Sequence, residues 1–223
     1  MSIRKVNFTG GEYYHLYNRG NSKQKIFLDE YDYLHFMSLL FACNSVNYLK
    51  TENLTRKNGL TIYDFDQKNK LVAIGSYCLM TNHFHILITA KEEMGISKFM
   101  QKLSTAYSMY FNKKYKRSGG LFEGKFKSQH VNNDTYLKYL FSYIHLNPIK
   151  IIQKDWKERG VINQKEALEF LDKYIYSSYL DFKEQERIQN KILDIDLFPK
   201  YFKNKKSFTK EILEWINYKC TLS

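Results

Sequence analysis

The sequence predicts an α+β fold: an antiparallel sheet with helices on one side, followed by a helical C-terminal extension. Three observations carry this. Short runs are dense in aromatic and β-branched residues, longer stretches repeat their apolar residues at helical spacing, and the two kinds alternate in a definite order.

Tyr13-Tyr14-His15-Leu16-Tyr17-Asn18-Arg19-Gly20 is rich in β-formers and closes on glycine, which reads as a strand running into a turn. Asp29 then opens a helix in which Leu34, Met37, Leu40 and Phe41 recur at three and four. Residues 50–70 are polar, with Asn58-Gly59 as a turn signal, and read as a loop or hairpin insertion. Residues 71–80 and 83–88 flank the polar break Thr81-Asn82 and predict a hairpin of two central strands. A helix is expected over 96–115, with Phe99, Leu103, Ala106 and Tyr110 on one face, and Gly119-Gly120 ends it. Residues 122–131 are short, basic and extended. Asp134 caps a further helix that Pro148 stops, because the residue before a proline is pushed out of the helical region.

Strand, helix, strand, strand, helix, strand, helix is the order of a ferredoxin-like split βαβ unit with one helix added. Beyond about Ile152 the pattern turns helical and charged, without a repeat or a Pro/Gly linker. The chain is therefore divided into a principal domain over 1–151 and a helical extension over 152–223.

A net charge of +12 and a pI near 9.4 accompany 17% aromatic residues, a combination that excludes an acidic tail or a disordered basic one. Such a surface attracts polyanions, nucleic acid first. Three widely spaced cysteines do not form a disulfide framework, the first residues lack a signal peptide, and no apolar run reaches the roughly 18 residues of a membrane span. A cytoplasmic, soluble protein with no membrane partner is expected.

In a strand His83 and His85 point to one face, about 6.5–7 Å apart, while Phe84 points into the core beneath them. Both imidazoles can then converge on one ion, although such a pair also occurs as sheet-face histidines satisfied by hydrogen bonds. In Ser142-Tyr143-Ile144-His145-Leu146-Asn147-Pro148, Tyr143 and Asn147 lie four apart and share a helix face, while His145 faces elsewhere. One amide oxygen and two imidazoles leave positions open for water and phosphate, which suits Mg²⁺ or Mn²⁺. Tyr143, one turn from Asn147, is the candidate nucleophile for phosphodiester cleavage; a helical tyrosine is also commonly a packing residue.

Between Lys98 and His130 stand eight cations (Lys98, Lys102, Lys113, Lys114, Lys116, Arg117, Lys125, Lys127) against the single acid Glu123, with Tyr107, Tyr110, Phe111, Tyr115, Phe122 and Phe126 interleaved. Single-stranded nucleic acid is gripped by such a mixture, and a lysine run is equally a solvated face. Arg19, Lys98, Lys102, Lys113, Lys116, Arg117, Lys125 and Lys127 are the candidate DNA contacts.

These residues resemble the single-tyrosine HUH transposases, the insertion sequence 200-like group, and in particular the REP-associated tyrosine transposase branch. The matching blocks are Tyr14-His15-Leu16-Tyr17-Asn18-Arg19-Gly20-Asn21 with Ile26-Phe27, Tyr77-Cys78-Leu79-Met80-Thr81-Asn82-His83-Phe84-His85-Ile86-Leu87, Gly119 to Ser128, Tyr143-Ile144-His145-Leu146-Asn147-Pro148 and, more weakly, Tyr176-Ser177-Ser178-Tyr179. Thr81 stands where many relatives carry proline. The resemblance implies that residues 1–151 are a catalytic domain in which His83 and His85 bind Mg²⁺ or Mn²⁺, Asn147 takes the third ligand's position and Tyr143 forms a 5′-phosphotyrosine. It implies single-stranded or hairpin DNA, REP-like palindromes or transposon ends, as partner, and a monomer or homodimer as the working form. An alternative is an RRM-like nucleic-acid-binding module without catalysis. A zinc site joining Cys78 to the two histidines is a further, weaker reading.

Overall fold

The computed structural model describes residues 8–47 and 61–217. The Asn58-Gly59 turn signal lies outside the described residues. Four strands, β1 (Tyr13–Arg19), β2 (Val72–Met80), β3 (His83–Ala90) and β4 (Lys127–Val131), form one antiparallel sheet in the order β2-β3-β1-β4. With α1 (Glu30–Ala42) after β1 and α2 (Gly95–Lys114) after β3, this is the ferredoxin-like split βαβ arrangement that the element order predicts.

Register sorts the side chains into two faces. Tyr14, Leu16, Tyr77, Leu79, Phe84, Ile86 and Ile88 point to one side and bury against α1 and α2. The start of α1 is fixed by a capping box, in which the Asp29 carboxylate accepts from the Asp32 N–H (3.1 Å) and that of Asp32 from the Asp29 N–H (3.3 Å). Asp32 also accepts from Lys114 and from the phenols of Tyr110 and Tyr115, tying the first turn of α1 to the end of α2. The apolar face of α2 is rotated from the expected one: Ile96, Phe99, Met100, Leu103, Tyr107 and Phe111 are buried, while Ala106 and Tyr110 only border the core. Tyr107 and Phe111 are thereby withdrawn from any role in stacking on bases.

The other face, with His15, Tyr17, His83, His85, Leu87, Cys78 and Met80, is crossed by α3 (Asp134–Leu146). Helices on one side thus describes the split βαβ unit alone; the third helix covers the reverse of the sheet. An RRM-like reading in which an open sheet face stacks bases therefore finds much of that face occupied. Asn133, rather than Asp134, caps α3, accepting from the Tyr136 N–H at 2.7 Å.

Two further sequence expectations are corrected. The first is that Pro148 ends the helix by expelling its predecessor from helical space. Asn147 remains helical (φ −53°, ψ −38°), as does Pro148, and the chain passes directly into α4 (Ile149–Ile152). The Asn147 side-chain amide donates to the Tyr143 carbonyl at 3.0 Å, one turn back. The second is that β2 is a central strand. It is the edge strand of the sheet, but residues 174–178 lie along its free edge: Leu79 N donates to Tyr176 O (3.0 Å), Ser178 N to Tyr77 O (3.0 Å) and the Tyr174 phenol to Leu79 O (2.6 Å). Covered on its edge and both faces, β2 is buried along its whole length, which is why its sequence looks central.

The C-terminal segments, α5 (Trp156–Arg159), α6 (Gln164–Lys173), α7 (Tyr179–Phe182) and α8 (Lys205–Asn217), pack on the end of α3 and on α4 through Leu146, Ile149, Trp156, Leu171, Tyr179, Phe208 and Ile212. His145 and Ser178 link the layers, for the Ser178 hydroxyl lies 2.8 Å from His145 Nε2 and accepts from Tyr77 N at 3.0 Å. Phe198 sits so close over Gly75 that a Cβ there would lie 2.8 Å from its ring. No helix among the described residues is long and apolar enough to cross a membrane.

Candidate active site

β3 places His83 and His85 on the α3 side of the sheet and Phe84, fully buried, on the other, where its ring packs on Phe36 and Phe122. The strand is thus held by its core side chain while its histidines face α3. Their rings are 5.0 Å apart and nearly perpendicular.

Each imidazole is fixed through Nδ1. His83 Nδ1 lies 2.7 Å from Asn82 Oδ1, and Asn82 Nδ2 donates to the Lys23 carbonyl, so the amide is oriented and His83 is the donor. His85 Nδ1 lies 2.8 Å from His15 Nε2 on β1, inside a buried, nearly stacked pair of rings. With both Nδ1 atoms engaged, Nε2 is the nitrogen each ring offers to an ion, the arrangement in which a ligating histidine donates its other N–H to a neighbour. Burial first, then the charges of Lys150, Arg19 and Lys157, pushes the His83 pKa down to about 4. Burial, with His15, His83, Lys157 and Lys150 adding to it, holds His85 well below the usual range, and burial with Lys157 takes His15 to about 4. All three are neutral near pH 7, the protonation state a metal requires.

Tyr143, half-buried on α3, sets its ring edge-on to this group, 5.7 Å from the His85 ring and 6.1 Å from that of His15. Burial would raise the phenol's pKa. Hydrogen bonds from Lys157 and Asn147, with the charges of Lys157 and Lys150, outweigh it and leave the phenol below its ordinary value. Asn147 is fully buried and its Oδ1 has no hydrogen-bond partner, a costly state for an amide oxygen that a cation would relieve. Among the described residues no three His, Cys, Asp or Glu side chains are grouped to hold a metal, so an ion at the histidine pair needs oxygen from an amide, water or phosphate. Neutral imidazoles and an unpaired amide oxygen are donors of the kind that Mg²⁺ or Mn²⁺ accepts. Cys78, opposite His85 in register, is fully buried, and burial raises its thiol pKa, away from the thiolate that zinc prefers.

The candidate DNA contacts are divided by the sheet. Arg19 and Lys127 share the histidine side and, with Tyr17, Lys23 and Glu123, line a cavity of about 290 Å³ that reaches His83. Arg19 is paired there with Glu123. Lys98, Lys102 and Lys113 belong to α2, on the opposite side; Lys102 donates to the Ser45 carbonyl at 2.8 Å. Lys116 and Arg117 follow the end of α2, Arg117 lying over the Phe111 ring, and Lys125 lines a separate cavity beside Met94. His145 points away into the core, against Phe182 and Phe208.

Sequence reasoning did not single out His15 or Lys157. His15 carried a signal, since it alternates with Tyr13 and Tyr17 on one strand face. Lys157, whose ammonium lies 3.8 Å from the centre of the Tyr143 ring, sits in a charged stretch with no such mark.

The chain is similar to a solved structure of a REP-associated tyrosine transposase bound to a REP hairpin, at 11% identity and a TM-score of 0.47, with 85% of this chain and 90% of that one covered. No curated protein matches it. Residues 31–147, slightly more than half of the chain, match the family described as "Transposase IS200 like". That span contains His83, His85, Tyr143 and Asn147 and ends at the last of them. The protein thus belongs to the IS200-like transposase family and is a transposase, a DNA strand-transferase.

Proposed function

We propose that the protein nicks and rejoins single-stranded DNA by transesterification, with Tyr143 as nucleophile and with His83, His85 and Asn147 holding Mg²⁺ or Mn²⁺. The observation that carries this is the Tyr143 ring set against His85, a neutral histidine whose Nδ1 is engaged by His15 and whose ring lies 5.0 Å from that of His83. A bound divalent ion supplies charge stabilisation to a phosphate and orients it. The chain's own residues do the rest. Phe84 keeps the strand still, His15 and Asn82 fix the imidazoles, and α3 presents the phenol.

Attack by Tyr143 Oη on phosphorus forms a P–O bond as the P–O3′ bond breaks. The 3′ oxygen leaves with the electron pair and, in net terms, takes up the proton that the phenol gives away. The product is a 5′-phosphotyrosine ester and a free 3′-hydroxyl. Because the diester is exchanged rather than hydrolysed, the reverse step rejoins strands without ATP. Lys127 and Arg19 line the cavity that reaches His83 and are situated to meet flanking phosphates.

Hairpin DNA, the substrate class implied by the sequence resemblance, is the DNA to use. Incubated with end-labelled hairpin and Mn²⁺, the protein is expected to form an adduct that survives denaturation and that is absent with chelator and in Tyr143→Phe. An undiminished adduct in Tyr143→Phe would contradict the assignment.

A further inference from the structure

Lys157 lies outside the family-matched residues 31–147, on the short helix α5. Its ammonium nevertheless rests 3.8 Å from the centre of the Tyr143 ring, well inside the distance for a cation–π contact. The backbone that carries it is anchored. Trp156 beside it is buried in the cluster with Leu146, Ile149 and Phe208. Gln153 spans the loop that follows, donating to the Gly160 carbonyl (2.8 Å) and accepting from the Ile162 N–H (3.0 Å). Among the described residues Lys157 forms no ion pair with a carboxylate, whereas its helix neighbour Arg159 is paired with Asp155. Its ammonium thus faces the Tyr143 ring most closely, with the Trp156 ring at 6.0 Å.

We propose that Lys157 is a positioning residue for the strand-transfer step, its ammonium holding the Tyr143 ring against His85 and His15 so that the C-terminal segment completes the active site. The proposal rests on Tyr143 being the nucleophile. A phenol on a helix can swing about its side-chain torsions, and an ammonium on its face favours the one orientation. Phosphoryl transfer requires the attacking oxygen in line with the leaving oxygen, so a loosened ring slows the chemistry without weakening DNA binding. The reacting diester carries one negative charge before and after the exchange, and the same ammonium faces it in both states.

The test uses the full chain with Lys157→Met, which keeps the aliphatic stem and removes the charge, and Lys157→Arg, which restores a cation able to stack on the ring. Single-turnover adduct formation is measured with saturating labelled hairpin and Mn²⁺, and DNA affinity by fluorescence anisotropy. Lys157→Met is expected to form adduct about 3- to 10-fold more slowly, the range a partly exposed cation–π contact supplies. Its DNA affinity should stay within about threefold, and Lys157→Arg should recover most of the rate. An unchanged rate in Lys157→Met would overturn the proposal, as would a loss of rate and affinity together that arginine does not restore. Absence of adduct in the unmodified chain would instead remove Tyr143 as nucleophile, and the role of Lys157 with it.

Discussion

His15 gives the sharpest handle on how the site is held. His85 is 7% exposed and His15 5%, and the 2.8 Å contact between His85 Nδ1 and His15 Nε2 lies inside that buried pair. For His85 to offer Nε2 to a metal, its proton must sit on Nδ1 and be accepted by His15. Replacing His15 by Phe keeps the ring volume and removes the acceptor, leaving a buried N–H unpaired at a cost of about 1–3 kcal/mol in the metal-competent tautomer. Outer-shell partners of ligating histidines change metal affinity by about 10- to 100-fold, which agrees with that range. Calorimetric titration with Mn²⁺ near neutral pH should therefore show weaker binding by about one to two orders of magnitude in His15→Phe. His15→Gln, which offers a carbonyl acceptor, should fall between. Wild-type Mn²⁺ affinity in a folded His15→Phe protein would refute the reasoning.

Asp32→Ala should lower unfolding free energy by about 1–3 kcal/mol in urea titrations, since it leaves the Tyr110 phenol and the Leu28 N–H without their acceptor while Lys114 and Tyr115 keep Asp29. Burial alone would raise the Asp32 pKa, but Lys114, the Leu28 N–H, Tyr115 and Tyr110 hold it below its ordinary value. That contribution is accordingly present above about pH 4, the unfolded value, and is lost as pH falls through the folded one; Asp32→Asn should flatten this acid limb, and an unchanged limb would count against it. Gly75→Ala should cost about 1–3 kcal/mol by pressing its methyl on Phe198, read as a lower denaturation midpoint. Lys127→Ala should reduce the salt dependence of single-strand binding by about 0.7 in log–log slope, while Lys98→Ala, on the far side of the sheet, should leave it nearly unchanged. Equal effects of the two would indicate a DNA path over α2.

Much of the fold was legible because the local patterns were unambiguous. The β2–β3 hairpin is signalled by two apolar runs around Thr81-Asn82, and α1 by Asp29 and the spacing of Met37, Leu40 and Phe41. What escaped depends on contacts distant in sequence. That α3 crosses the histidine face follows from burying Leu137, Leu140, Phe141 and Ile144 on Cys78 and Leu87, a choice of side that helical spacing alone does not make. The edge position of β2 was hidden because residues 174–178 cover it. Pro148 misled because its local preference is outweighed by the packing of Ile149 and Leu146 on the C-terminal helices. At the candidate site, His83, His85, Tyr143 and Asn147 stand out in the sequence as spacings. His15 joins His85 through the β1–β3 register, and Lys157 reaches Tyr143 through the anchoring of Trp156, neither of which is written in local sequence.

The proposed covalent bond between Tyr143 and DNA can be detected directly. After reaction with a hairpin oligonucleotide and Mn²⁺, digestion and peptide mass spectrometry should find the nucleotide mass on the peptide containing Tyr143, joined through a 5′-phosphate. The same mass on Tyr139, Tyr136 or Tyr17, which lie close by, would contradict the account, as would strand cleavage that leaves every tyrosine unmodified.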